Sequence, residues 1–458
     1  MRGLSRRQLL EIGGGIVLLL LPLAFDPFAT QPSEAVKVAV LQAITIGMVI
    51  AFIFSLPRKI ANQAESPLRG GGLRLIISSR FRDNPLLLPV LIYSGVYILA
   101  TIFSVNPRQS LWGTITRQGA LTVLFLVLFF ILIADALRSS LQVDRLVTTL
   151  IVVSVPVAIY GWLQYFGLDP LEWETTSLSP VHSTVGYSLF LGAFLAMVIP
   201  FTLFRIFGGQ ADGRYRPFPF VLILVLQVCC LLFTLSRGAW LGLLGGCMVF
   251  LWLLAYRWQG KRLFLISVFV LVAGSLLLFS MNQGSVLPAF TGQNGISDAI
   301  VAETRKVSDS DRMMIWINTL PMITRRLLFG YGPETFSTAF WLTHPSGSFS
   351  GVPNFNPWDP HNIFLYHLTA TGVSGLMAFL WILARFYRIT YHAFIGAEDR
   401  HTGIMVAAII SSATAFLIQA QFNPNGIVPV VLFWFVLAMG VSAFRWVGVS
   451  TSDVKPDQ

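Results

Sequence analysis

Charge is what this sequence has least of. Asp, Glu, Lys and Arg make up 11% of its 458 residues, against about 25% in an ordinary soluble domain, so a chain folded wholly in water is excluded. Cysteine is scarcer still. Cys229, Cys230 and Cys247 all lie inside apolar runs, which leaves no disulfide framework and no spacing suited to structural zinc. No internal repeat stands out, and no paired-carboxylate motif offers a metal site, although Asp298, Glu303, Asp309, Asp311, Glu334 and Asp359 share one polar region. What is abundant is apolar surface: 55% hydrophobic residues and a mean hydropathy of +0.71. Such a chain is an all-α, polytopic membrane protein, because only helices or closed barrels satisfy their backbone in lipid.

A formal charge of +10 does not call for a nucleic-acid partner, since membrane proteins collect Lys and Arg in their cytoplasmic loops. About twelve windows approach the ~20 apolar residues that cross a bilayer. They are 12–29, 35–56, 86–104, 118–137, 146–166, 183–207, 217–235, 239–256, 263–281, 361–386, 403–421 and 427–444. Arginines and lysines concentrate in alternate connections, among them Arg58, Lys59, Arg80, Arg138, Arg145, Arg205, Arg257, Arg385 and Arg400. The tally places both termini in the cytoplasm. Ser5-Arg6-Arg7 ahead of an apolar run resembles a twin-arginine export signal, but no small-x-small cleavage site follows, so an uncleaved first helix is expected.

The chain therefore divides into nine spans over 1–281, an extracytoplasmic insertion over 282–360, three spans over 361–446 and a tail over 447–458. The insertion is too long for an idle connector. Within it, apolar residues at 313, 316, 317, 320, 323 and 327 recur at helical spacing, which predicts an amphipathic helix on the membrane surface. Gly330-Tyr331-Gly332-Pro333 ends it. Ser66 to Gly72 and 450–458 read as flexible.

Few residues here can do chemistry. Arg237, in Ser236-Arg237-Gly238-Ala239-Trp240, joins two apolar runs at the outer edge. It either snorkels to lipid headgroups or grips an anion, and an outward arginine against the positive-inside bias favours the second. Arg312, beside Asp311 at the head of the amphipathic helix, has the same two readings. So has Arg117 in the loop 107–118. His361 stands between the insertion and the tenth span, where a neutral imidazole can take a proton from a hydroxyl, or can simply begin a helix. His182, His344 and His367 have no supporting context.

His361-Asn362, nine residues, then Gly372-x-x-Gly375 resembles the signature of the O-antigen ligases, with Leu376 where that pattern carries Thr or Val. Ser236-Arg237-Gly238 and the run from Asp311-Arg312 to Phe336 resemble further elements of the ligase and polymerase superfamily, and the likeness covers about 231–380. The resemblance implies a metal-independent, cofactor-free, inverting glycosyltransferase in the bacterial inner membrane, with its site on the extracytoplasmic side. The donor would be a glycan on undecaprenyl pyrophosphate, and the acceptor lipid A core or a related glycan. His361 would be the base, Arg237 and Arg312 the pyrophosphate ligands, and Arg117 and Asn362 further substrate contacts. A polysaccharide polymerase and a protein O-oligosaccharyltransferase share this chemistry. An anion carrier, the role described for some cyanobacterial relatives, is the alternative of another class, and would need helices broken at mid-membrane and inverted halves.

Overall fold

The computed structural model describes residues 5–26, 34–54, 83–114, 117–171, 181–208, 217–258, 309–344 and 357–448. The expected ninth span, most of the insertion before 309, the stretch 66–72 and the residues after 448 lie outside these. Among the described residues every regular element is helical. In chain order they are α1 (Arg6–Leu23), α2 (Glu34–Phe54), α3 (Leu87–Ile102), α4 (Pro107–Trp112), α5 (Ala120–Ala136), α6 (Ser140–Tyr165), α7 (Ser188–Phe207) and α8 (Phe218–Phe233). Then come α9 (Arg237–Trp258), α10 (Asp309–Arg325), α11 (Phe336–Thr343), α12 (Ile363–Gly396), α13 (Arg400–Gln419) and α14 (Ile427–Trp446). Seven of them, α2, α6, α7, α9, α12, α13 and α14, are long and apolar enough to cross a membrane, and α3, α5 and α8 are shorter apolar helices. The protein is an all-helical, polytopic membrane protein.

Burial ranks the helices. The apolar window of α14 is 94% buried, whereas that of α2 is 28% buried, so α14 is central and α2 peripheral. Hydrophobic side chains left uncovered, such as Ile46, Ile50, Leu91 and Ile98, are what a lipid-facing rim presents. Helix α9 lies close on α13 because its contact stripe is glycine: a methyl group at Gly242 would meet the Ala415 carbonyl at 2.6 Å, and one at Gly246 the Ser411 carbonyl at 2.9 Å. Small residues four apart let two backbones approach, the device that packs helices where water supplies no drive.

The two ends of the bundle differ chemically. One is an ion-pair mesh: Asp135 takes Arg6 at 2.9 Å and Arg138 at 3.1 Å, Glu11 takes Arg145 at 2.6 Å, and Asp144 takes Arg205 at 2.9 Å. Arg257 and Arg445 donate there to the carbonyls of Ala397 and Ala134. At the other end carboxamides are prominent, as described below.

Helix α12 departs from the expected straight span over 361–386. At Gly372 the backbone turns to φ 70°, ψ −169°, a region open only to glycine. His367 and Phe379 are twelve residues apart, which is about 18 Å along a straight helix, yet their ring centroids lie 4.4 Å apart. The bend is therefore sharp, and the crossing segment is 373–396, about 36 Å of helix. Three backbone groups beside the break are taken up by a neighbouring segment. Tyr331 N–H donates to the Thr369 carbonyl at 2.7 Å, Gly332 N–H to Ala370 at 3.0 Å, and Val373 N–H to Leu327 at 2.8 Å. Ser374 Oγ donates to the Leu328 carbonyl at 2.6 Å. The segment 327–332 thus docks edge-on into the notch, where any Cβ at Gly372 would strike the Leu328 carbonyl.

Helix α10 forms as its periodicity predicts. Its Met313, Ile317 and Leu320 stripe is exposed, while Ile315 and Met322 pack with Tyr331, Phe336 and Phe340. An apolar row turned away from protein is what a helix lying in the interface plane requires.

Candidate active site

The turn between α13 and α14, Gln421-Phe422-Asn423-Pro424-Asn425-Gly426, is dense in carboxamides. Three separate parts of the chain hang from it. Gln118 donates to the Asn425 carbonyl at 2.5 Å. Asn423 Nδ2 donates to Ser236 Oγ at 3.2 Å and to Gln419 Oε1 at 3.3 Å. Asn362 Nδ2 donates to Gln421 Oε1 at 3.2 Å, and Ile363 N–H to the Ala420 carbonyl at 2.8 Å. The partners Gln118, Ser236 and Asn362 are the sequence neighbours of Arg117, Arg237 and His361. One short turn therefore fixes the backbone beside three of the candidate residues.

His361 lies before the first residue of α12. Asn362 caps that helix, its Oδ1 accepting from Phe364 N–H at 3.0 Å and Leu365 N–H at 3.1 Å, which supplies two orphan donors of the first turn. The Asn362 side chain is thus spent on cap and tether. His361 itself is left-handed, at φ 53°, held by its N–H donating to Asp359 Oδ1 at 2.6 Å. Its ring is 7% exposed, stands edge-on to Trp358, and keeps Nδ1 without a hydrogen-bond partner among the described residues. Trp316 Nε1 donates to the Pro360 carbonyl at 2.8 Å, and this seats α10 against the histidine. Arg312, one turn earlier on α10, is close enough for its charge to act on the imidazole: burial first, then Arg312, push His361 down to about 4. Burial raises the Asp359 carboxyl to about 7, against the N–H it accepts from His361.

Arg237 opens α9 and is exposed. Leu235 before it is left-handed at φ 53°, and Ser236 Oγ accepts from Ala239 N–H at 3.4 Å. Gly238 is required by crowding, since a Cβ there would sit 2.6 Å from Asn423 Nδ2. The Ser-Arg-Gly element is then a cap, a cation presented at a helix N-terminus, and a contact glycine. Arg117, exposed and left-handed at φ 54°, has its carbonyl fixed by Thr122 Oγ1 at 2.7 Å. Glu334 is left-handed too, at φ 58°, and accepts from Thr114 N–H at 3.1 Å. Strained non-glycine backbone of this kind gathers at functional sites. Among the described residues no group of three His, Cys, Asp or Glu side chains is placed to hold a metal ion.

A cavity of about 80 Å³, partly open to solvent, enters the bundle here. Glu334, Asp359, Asn362 and Asn425 line it, and Tyr93, Tyr97 and Trp434 continue it inward. His361 and the three candidate arginines are not among its lining residues.

Sequence reasoning missed the turn 421–426, whose signal was a run of amides in a chain poor in polar groups. It also missed Glu34 and Lys37, an i,i+3 pair inside an apolar window. Lys37 Nζ donates to the carbonyls of Thr184 and Val185 at 2.9 and 3.1 Å, and Glu34 Oε2 accepts from Ile427 N–H at 2.8 Å. These buried charges bind α2 to the start of α14 at the same end as His361. Replacing Asn423 by alanine should strand the Ser236 and Gln419 groups and cost about 1–3 kcal/mol. Thermal unfolding read by labelling of the native cysteines measures it, and an unchanged midpoint would remove the turn from its organising role.

Fold and site together define a polytopic helical membrane protein in which the candidate residues His361, Arg117 and Arg237 adjoin one carboxamide turn at one end of the bundle. Residues 221–380 match the family model described as O-Antigen ligase, so this part of the chain is similar to the O-antigen ligase and polymerase superfamily, which is of membrane glycosyltransferase type. The matched region contains Arg237, Arg312, His361 and Gly372. No curated protein matches the chain.

Proposed function

We propose that the protein transfers a glycan from undecaprenyl pyrophosphate to an acceptor hydroxyl, on the extracytoplasmic face of the bacterial plasma membrane, by a metal-independent inverting displacement. The acceptor in this reading is lipid A core or a related surface glycan. The observation that carries it is the hydrogen bond from Trp316 Nε1 to the Pro360 carbonyl, which seats the helix bearing Arg312 against His361. Arg237 and Arg312 would hold the pyrophosphate and offset the charge it gains on leaving. His361 would take the acceptor proton as the hydroxyl attacks from the opposite face. The arginines gathered in the ion-pair mesh at the other end support a cytoplasmic side there, with the candidate site on the opposite face.

A base pushed down to about 4 by burial and by Arg312 is neutral but weak. A bound pyrophosphate would cancel the Arg312 field and raise it, so the donor would activate its own base. The broken α12 lends the carrier alternative nothing, because three backbone groups beside the break are taken by residues 327–332 rather than turned to a cavity.

Reconstitution in liposomes with an undecaprenyl-pyrophosphate glycan and a lipid A core acceptor tests the reading. Transfer without any nucleotide sugar is expected. The acid limb of kcat/KM, which reports the free enzyme, should fall near pH 4, and that of kcat, which reports the complex, should lie higher. Arg312→Gln should lift the first limb toward 6.5. Absence of transfer with anion flux across the same liposomes would replace the enzyme with a carrier.

A further inference from the structure

We propose that the cavity between α3, α5, α12, α13 and α14 is the subsite for an uncharged sugar residue of the glycan acceptor. The assignment rests on the glycosyl-transfer reading above and names the substrate group that this part of the site takes.

The lining itself selects the ligand. Among the described residues it has two acidic side chains, Glu334 and Asp359, and neither lysine nor arginine, so nothing in it favours a pyrophosphate. Its walls are phenols and an indole, Tyr93, Tyr97, Tyr366 and Trp434. Such rings pair an apolar face with a polar rim, and a pyranose does the same, with C–H bonds on its faces and hydroxyls at its edge. Carboxamides Gln118, Asn423 and Asn425 complete the wall. Among the described residues two buried polar atoms on the lining have no hydrogen-bond partner: Asn423 Oδ1, in a residue 1% exposed, and His367 Nδ1, in one 3% exposed. Leaving such groups unmatched costs about 1–3 kcal/mol each, and a sugar hydroxyl supplies the donor that an amide oxygen lacks.

The donor's first sugar is bonded directly to the pyrophosphate and must lie with the arginines, none of which lines the cavity. The sugar here is therefore the acceptor's. Asp359 and Asn362 line the cavity and flank His361 in sequence, so a hydroxyl projecting from its mouth comes to the base.

The experiment uses full-length protein in nanodiscs and saturation-transfer NMR. The probes are methyl glycosides of glucose, galactose, N-acetylglucosamine and glucosamine, with magnesium and inorganic pyrophosphate as ionic probes. At least one neutral glycoside should receive saturation and resist displacement by pyrophosphate. Tyr97→Phe and Glu334→Gln, which alter one polar group each, should weaken it by about tenfold, and Tyr97→Trp, which fills the space, should abolish it. Arg237→Ala should retain it while losing transfer. No signal from any neutral glycoside, a signal unchanged in all three cavity variants, or binding of only the amine glycoside or magnesium would overturn the assignment. If wild type binds glycosides but transfers no glycan, the transferase reading fails alone; if it transfers glycan with no glycoside signal, the cavity assignment fails alone.

Discussion

His361→Ala is expected to slow glycan transfer by about 10²–10⁴-fold, the range for loss of a general base, without loss of folded protein. The imidazole makes no side-chain hydrogen bond that the fold depends on among the described residues, its tie to Asp359 running through the backbone N–H. Arg237→Ala should cost about 10²–10³-fold through lost stabilisation of the departing charge, also with little effect on folding, because the side chain is exposed at the start of α9. The two losses should be strongly non-additive if both groups act in one transition state. The check is single-turnover transfer in liposomes, with unfolding midpoints measured in parallel. Both variants running at the wild-type rate would end the site assignment, and His361→Gln restoring activity would reduce the histidine to a helix-terminal residue.

Gly372→Ala should damage the protein itself. It forces a side chain into backbone that only glycine adopts, at about 1–3 kcal/mol, and it drives a methyl group into the Leu328 carbonyl. Separating the docked segments forfeits the bonds from Tyr331, Gly332, Val373 and Ser374, each worth roughly 1 kcal/mol. A loss of roughly 3–6 kcal/mol is expected. It would be seen as earlier exposure of Cys229, Cys230 and Cys247 to a thiol dye on heating. Because α10 carries Arg312 and is held through this notch, residual folded protein should also show a His361-dependent acid limb shifted upward. A midpoint equal to wild type would mean that the bend survives without glycine.

Much of this was legible from residue types. The all-helical class, most span positions and the surface helix follow from apolar periodicity, and α10 begins and ends within a few residues of expectation. Of the proposed residues, Arg237 was visible as a charge between two apolar runs, whereas His361 and Arg312 drew their standing from the family resemblance. The bend in α12 was not. Thr371-Gly372-Val373 sits in an unbroken apolar run, and one glycine there reads equally as a packing residue or as a family signature. Only the docked partner, more than forty residues earlier in the chain, reveals the break. The carboxamide turn was hidden for a related reason: its bonds run to residues 118, 236 and 362, and no local pattern announces partners so remote. Left-handed backbone at Leu235, Glu334 and His361 has no signal in residue type.

The choice of amides over ions for the turn after α13 has a bearing on where the protein works. Ion pairs loosen when their carboxylates take up protons, whereas amides neither gain nor lose a proton in aqueous media. A membrane face whose surroundings are not buffered by the cell would, with acid-base linkages, let the spacing of Arg237 and His361 drift with the weather outside. Asn423, Asn425 and Gln421 are indifferent to acidity, so their share of that spacing stays constant where the Asp359 tie to the His361 backbone does not.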